Sequence, residues 1–123
     1  MRPLIRPETI RFLFEEAKKH LCAIPVISPS DSLRWQDETG NQILNRDHVK
    51  IIQTPQVFEL NKLKAAYVSD FDRSFTDDAS VWENAGNQVY LTKGQPDNIK
   101  ITGPDDLIMA EALRRNGTGN LVS

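Results

Sequence analysis

The apolar positions of this chain fall into short periodic blocks with polar breaks between them. Ile10, Leu13, Phe14, Ala17 and Leu21 recur at spacings of three and four, while Arg11, Glu15, Lys18 and Lys19 take the other face. That is the period of an amphipathic helix, and Pro7 suits its first position. The continuous run Cys22-Ala23-Ile24-Pro25-Val26-Ile27 follows at once and predicts a buried strand, set parallel to others. Pro25 offers no ladder donor, so an edge, a bulge or a strand end is expected there. Ser28 to Ser32 then form a loop at the strand's C-terminal end, the edge where open α/β sheets gather ligands.

Leu33–Gln36 and Gln42–Arg46 flank the polar break Asp37-Glu38-Thr39-Gly40-Asn41. This predicts a hairpin arm over 33–46, with Gly40 supplying a positive φ. An isolated hairpin is marginal in water, so the arm needs a partner surface. A second copy of the chain is the simplest one, with Trp35 as the anchor. Val49–Ile52 predicts a strand that ends in Gln53-Thr54-Pro55-Gln56, where Pro55 stops the ladder and holds Thr54 extended. Asn61 is placed to cap a helix from Lys62 to Val68. Thr76 is placed to cap another from Asp77 to Ala85, with Asp77 and Asp78 in its first turn and Gly86 as its stop. Gln88–Thr92 and Asn98–Thr102 predict two more strands. Pro104 opens a last helix with Leu107, Ala110 and Leu113 inward and Arg114 and Arg115 near its end. Asn116–Ser123 is a polar, glycine-bearing stretch, expected to be a flexible tail after a domain spanning 1–115. The order of elements is α/β, with too few strands to shield the edges of a parallel sheet.

Composition narrows the picture. A chain of 123 residues builds one small domain. A net charge of −2 gives no reason to expect nucleic acid as a partner. No apolar run reaches membrane-spanning length, and Met1–Pro7 lacks the apolar region of a signal peptide, so a cytoplasmic chain without a membrane partner is expected. The single cysteine, Cys22, excludes an intrachain disulfide and reads as a core thiol. No Cys/His cluster has metal-ligand spacing.

The polar groups expected at strand ends are Ser32, Thr54, Gln56, Thr76, Asp77 and Lys100, with Arg46 at the root of the arm. Hydroxyls with a lysine and a forked arginine suit a phosphate and neighbouring sugar hydroxyls. The stretch Phe75–Ser80 has two readings, a capped helix start with dipole-compensating acids or a piece of a site. There is no Ser-His-Asp set, no histidine base beside a nucleophile and no Gly-rich phosphate loop. The residues favour positioning a phosphorylated polyol over covalent catalysis, which fits phosphoryl or nucleotidyl transfer.

Four motifs occur in order: Arg2-Pro3-Leu4-Ile5, Gln53-Thr54-Pro55-Gln56-Val57-Phe58, Phe75-Thr76-Asp77-Asp78-Ala79-Ser80, and Asn98-Ile99-Lys100-Ile101-Thr102-Gly103-Pro104-Asp105-Asp106-Leu107. Together they resemble the C-terminal half of the 2-C-methyl-D-erythritol 4-phosphate cytidylyltransferases. The resemblance implies transfer of CMP from CTP to methylerythritol phosphate, with pyrophosphate released and a magnesium ion present, in non-mevalonate isoprenoid synthesis. It implies a Rossmann-like nucleotidyltransferase fold and a homodimer clasped by the arm. It gives Arg2 and Lys100 catalytic roles, and Ser32, Arg46, Thr54, Thr76 and Lys100 roles in binding substrate. Arg46 matches the arm arginine that reaches the phosphate in the neighbouring subunit, and Ser32 stands where the family has threonine. The family's Gly-rich CTP loop and the magnesium-binding aspartate before Arg2 have no counterpart here, so the resemblance implies a fragment that is inactive by itself. A ribitol 5-phosphate cytidylyltransferase and a non-catalytic dimerisation fragment stay open as alternatives.

Overall fold

Strand β1 (Cys22–Ile27) is the element on which the others assemble. The computed structural model describes the backbone of residues 2–69 and 77–122, and the side chains of 2–68 and 77–115. Helix α1 (Pro7–His20) starts at the proline, as its period predicts, and packs on β1 with Leu13 fully buried. It turns into β1 through Leu21, whose φ is 68°.

One edge of β1 pairs in parallel with β6 (Leu91–Lys93) through Ile24↔Leu91, Pro25↔Thr92 and Val26↔Lys93. The other edge pairs antiparallel, in two pieces. Val26↔Ile52 and Ile27↔Ile51 join it to β4 (Ile51–Ile52), and Cys22↔Phe58 and Ala23↔Val57 join it to β5 (Val57–Phe58). The sheet is therefore mixed, not the parallel one expected, because the strand after the arm returns antiparallel. Between the two antiparallel registers, Ile24 and Pro25 face residues 53–56, two more than a regular ladder holds. The Ile24 N–H donates to the Tyr90 carbonyl on the β6 side, so the polar groups of Pro25 face the other edge. There the Pro25 carbonyl accepts from the Gln53 N–H at 2.8 Å, and the missing proline donor faces the bulge. Of the three settings expected for Pro25, the bulge is the one found, and β1 is an interior strand.

Cys22 and Ile24 form the core with Ala79 and Trp82 of α3 (Asp78–Asn84), and Phe58, Leu63 and Val89 pack around it. Trp82 is 1% exposed, and its ring nitrogen donates to the Gln88 carbonyl at 2.9 Å. Helix α2 (Leu60–Ser69) lies against α3. The arm is a separate two-stranded sheet, β2 (Leu33–Asp37) and β3 (Gly40–Leu44), in register from Leu33↔Leu44 to Asp37↔Gly40. Its turn is two residues, tighter than the five-residue break in the pattern. Asp37 closes it by accepting from the Thr39 N–H and hydroxyl at 2.9 and 2.6 Å, which holds its carboxyl below the usual range. Trp35 is 56% exposed.

Several expectations shift. The arm ends at Leu44, and Arg46–His48 form a 3-10 turn capped by Asn45. The predicted strand Val49–Ile52 shortens to β4, and Gln88–Thr92 becomes β6. The cap of α2 is Glu59, whose carboxylate accepts from the Asn61 and Lys62 N–H groups at 3.2 and 2.7 Å, so Asn61 is already inside the helix. The cap of α3 is Asp77, which accepts from the Ser80 N–H and hydroxyl at 2.8 and 2.6 Å. Thr76 lies outside the described residues. Asn98–Thr102 is not a strand, because the Asn98 N–H donates to the Gln95 carbonyl within a turn and the Asn98 carbonyl accepts from the Arg2 and Gln53 side chains. Helix α4 (Pro104–Val122) carries helical backbone into the stretch expected as a tail. Of its predicted inner face, Ala110 is buried but Leu107 is 54% exposed.

Candidate functional site

Residues from three distant stretches meet beside the bulge. The bulge over residues 53–56 swings Thr54 out of the ladder toward Arg2 and the turn after β6. Arg2 donates from Nε to Thr54 Oγ1 at 2.8 Å and from Nη1 to the Asn98 carbonyl at 2.6 Å. Burial lowers the pKa of this guanidinium from its ordinary value, though an arginine remains charged. Asn98 is fully buried, and its Nδ2 donates to the Thr54 carbonyl at 2.9 Å. Its Oδ1 has no donor among the described residues. Thr54 thus answers to Arg2 through its side chain and to Asn98 through its main chain.

Beneath this contact lies a knot of buried amides. Gln53 Oε1 accepts from the Gln95 N–H at 3.0 Å, and Gln53 Nε2 donates to the carbonyls of Gln95 and Asn98 at 2.9 and 3.2 Å. Gln95 Oε1 accepts from the Arg6 N–H at 3.1 Å and the Thr9 hydroxyl at 2.9 Å. Gln95 Nε2 donates to the Leu4 carbonyl at 2.8 Å and to Asp97 at 2.7 Å. Asp97 also pairs with Arg6 at 2.5 Å. The start of the chain, the bulge and the 95–98 turn are held as one unit.

The expected site residues divide into groups. Arg2 and Thr54 touch. Lys100 stands two residues past the gripped Asn98 carbonyl and is exposed. Ser32 and Arg46 are exposed at the root of the arm, where Arg46 Nη1 donates to the Ser30 carbonyl at 2.6 Å. Close by, Lys50 Nζ donates to Ser28 Oγ at 2.9 Å. Among the described residues, no hydrogen bond or ion pair joins this arm-root group to Arg2 and Thr54. Gln56 is half-buried, and Asp77 serves as a helix cap. Gln53, Gln95 and Asn98 were not singled out by the pattern. Their signal was the placement of amides directly at both strand ends, where a buried polar side chain must find partners.

Chemically, the contact is a donor surface. Among the described residues Arg2 Nη2 makes no hydrogen bond, the Thr54 hydroxyl proton remains available, and the Lys100 ammonium is exposed. Cation and hydroxyl together suit a phosphorylated polyol. A magnesium ion fits less well. It wants several oxygen ligands, and among the described residues no three His, Cys, Asp or Glu side chains cluster to hold a metal. Asp97, the acid of the knot, is already engaged by Arg6 and Gln95. Among the described residues, no helix is long and apolar enough to cross a membrane.

The family model of 2-C-methyl-D-erythritol 4-phosphate cytidylyltransferase matches residues 1–116. The enzyme of that name from Bacteroides thetaiotaomicron is 44% identical over 113 residues, covering 92% of this chain and 52% of its own length. Its counterpart from Bacteroides fragilis is 45% identical with the same coverage. Among solved structures, the cytidylyltransferase from Thermus thermophilus superposes with a TM-score of 0.81 at 30% identity, over 93% of this chain and 58% of that one. A structure from Anaerococcus prevotii gives 0.78 at 29% identity, covering 93% and 55%. The chain spans about half the length of the curated relatives it matches. Its α/β architecture is that of these nucleotidyltransferase structures, and its four motifs lie within the matched residues. The chain belongs to the 2-C-methyl-D-erythritol 4-phosphate cytidylyltransferase family.

Proposed function

We propose that this chain supplies the polyol-phosphate side of a cytidylyltransferase site. In that reaction CMP passes from CTP to 2-C-methyl-D-erythritol 4-phosphate, and pyrophosphate leaves, as a step of isoprenoid synthesis. The observation that carries the reading is the Arg2–Thr54–Asn98 contact, in a chain matched by the family model over residues 1–116. The chemistry asked of these residues is positioning and charge neutralisation. Arg2 and Lys100 offset the charge that builds as the polyol phosphate attacks CTP. Thr54, Thr76 and Ser32 donate hydroxyls to the polyol phosphate and hold its attacking oxygen in line. Arg46 reaches the phosphate bound by a partner subunit, so the active form is a homodimer clasped through the arm. The exposure of Trp35 on an otherwise unsupported hairpin supports that assembly. A magnesium ion that screens the CTP phosphates belongs to the reading, but the described residues offer it no ligand set and no step is assigned to it. The enzyme works in the cytoplasm.

The test is pyrophosphate release from CTP by the polypeptide that carries this chain, with methylerythritol 4-phosphate and with ribitol 5-phosphate compared. Turnover with the first and not the second is expected. Equal turnover, or turnover with ribitol 5-phosphate alone, would sink the assignment.

A further inference from the structure

Gln53 is 3% exposed and gives its whole primary amide to one neighbouring segment. Its Oε1 accepts from the Gln95 N–H, and its Nε2 donates to the carbonyls of Gln95 and Asn98. The peptide groups of Gln95 are therefore paired much as a neighbouring strand would pair them, but by a side chain. The Asn98 carbonyl is gripped from two sides, by Gln53 at 3.2 Å and by Arg2 at 2.6 Å. A shift of the Gln53 amide moves one end of the Arg2 fork and the backbone two residues before Lys100. Gly94 makes the grip sterically possible. A Cβ there would stand 2.6 Å from Gln53 Oε1 and 2.8 Å from the Val26 carbonyl oxygen.

We propose that Gln53 is a positioning residue. By clamping the 95–98 turn it sets the placement of Arg2 and Lys100 toward the polyol phosphate, and Gly94 leaves the space that admits the clamp. The proposal rests on the function proposed above, because it takes those two cations as the ones that meet the substrate. Gln53 does not itself touch substrate. It acts through the Asn98 carbonyl.

The isosteric change Gln53→Glu tests it in the polypeptide that carries this chain. At pH about 8 the variant carboxylate turns an oxygen toward two carbonyl oxygens and repels them. The KM for methylerythritol 4-phosphate should rise by about tenfold or more while the KM for CTP stays within about twofold, since the loss is confined to one substrate's contacts. Those carbonyls raise the variant's carboxyl pKa. Lowering the pH to about 6 should then restore one donor and shrink the KM ratio to about threefold. A role confined to stability gives no such pH-dependent recovery limited to one substrate. Gly94→Ala should reproduce the KM split through sterics, without the pH recovery. An unchanged KM in either folded variant overturns the proposal.

Hydrogen exchange on the unmodified chain decides the matter if the variants do not fold. The Gln95 N–H and the Gln53 side-chain amide protons should exchange about a hundredfold more slowly than the Lys100 N–H, as held donors do. Fast exchange at Gln95 overturns the clamp. Absence of cytidylyl transfer in the unmodified polypeptide would instead defeat the proposed function, and the same exchange measurement would still decide the clamp by itself.

Discussion

Thr54 shows how much one residue carries when it sits at a bulge. Its hydroxyl takes the Arg2 Nε–H, and its carbonyl takes Asn98 Nδ2. The change Thr54→Val keeps the shape and removes the hydroxyl, both the acceptor for Arg2 and the donor offered to the substrate. It should weaken binding of the polyol phosphate by roughly 1.5–3 kcal/mol, the worth of a charge-assisted hydrogen bond, read as a raised KM at nearly unchanged melting temperature. A KM within twofold of the parent's would remove Thr54 from the site. Trp82 tests the core instead. It is 1% exposed, tilted against Phe58 at 5.3 Å between ring centroids. Trp82→Ala should cost about 3–5 kcal/mol in urea unfolding, because the cavity it leaves has little means of collapse. At this scale Arg2 and Thr54, which touch, were legible as polar groups because their motifs announce them. Gln53 and Gln95 were not, since an amide in a strand-end loop looks the same whether it is buried in a knot or turned to water. Only the pairing of 53 with 95, remote in sequence, separates the two cases.

Elements were legible where their periodicity is long and misjudged where it is short. α1 has four turns of apolar period and began at the proline predicted. The caps of α2 and α3 each moved by one or two residues, because a carboxylate near the expected cap took the N–H groups of the first turn. Asp77→Ala should therefore destabilise α3 by about 1 kcal/mol, seen as faster exchange of the Ser80 N–H, whereas Asn61→Ala should leave α2 unchanged. The alternation in Asn98–Thr102 was real but found no neighbouring strand, and a strand is defined by its partner. The start of α4 gives a pH test. Asp106 accepts from the Thr102 hydroxyl at 2.8 Å and the Thr102 N–H at 3.1 Å, and these bonds hold its carboxyl below the usual range. A depressed carboxylate contributes stability that is present above its unfolded pKa and lost as pH falls through its folded one. The Thr102 amide resonance should hold steady from neutral pH down to the ordinary aspartate range near pH 4, then move below it. A transition centred above that range would contradict the bonding.

The molecule as a whole leaves much apolar surface uncovered. Phe14, Ile51, Ile52, Leu91, Ile108 and Met109 are 46–69% exposed. Together with Trp35 and an outer edge on β6 that has no strand partner among the described residues, this predicts association of the 123-residue chain at rising concentration. Sedimentation velocity should find species heavier than the monomer, and Trp35→Ala should reduce but not abolish them. A monodisperse monomer at every concentration would contradict it. The fold class was legible at this scale because helix and strand periods alternate. The mixed sheet was not, because direction depends on where the chain re-enters after the arm.

The way β1 gathers its neighbours also has a kinetic consequence. Its antiparallel partners β4 and β5 pair through two residues each and follow it closely along the chain, while β6 pairs through three residues but lies more than twice as far along the chain. Closing the longer loop costs more chain entropy. β6 is therefore the late partner in assembly, and the 95–98 turn that follows it takes its place only once β6 has paired. Arg2 and Lys100, the two cations proposed to meet the substrate, would thus come together only after β1, β4 and β5 have paired.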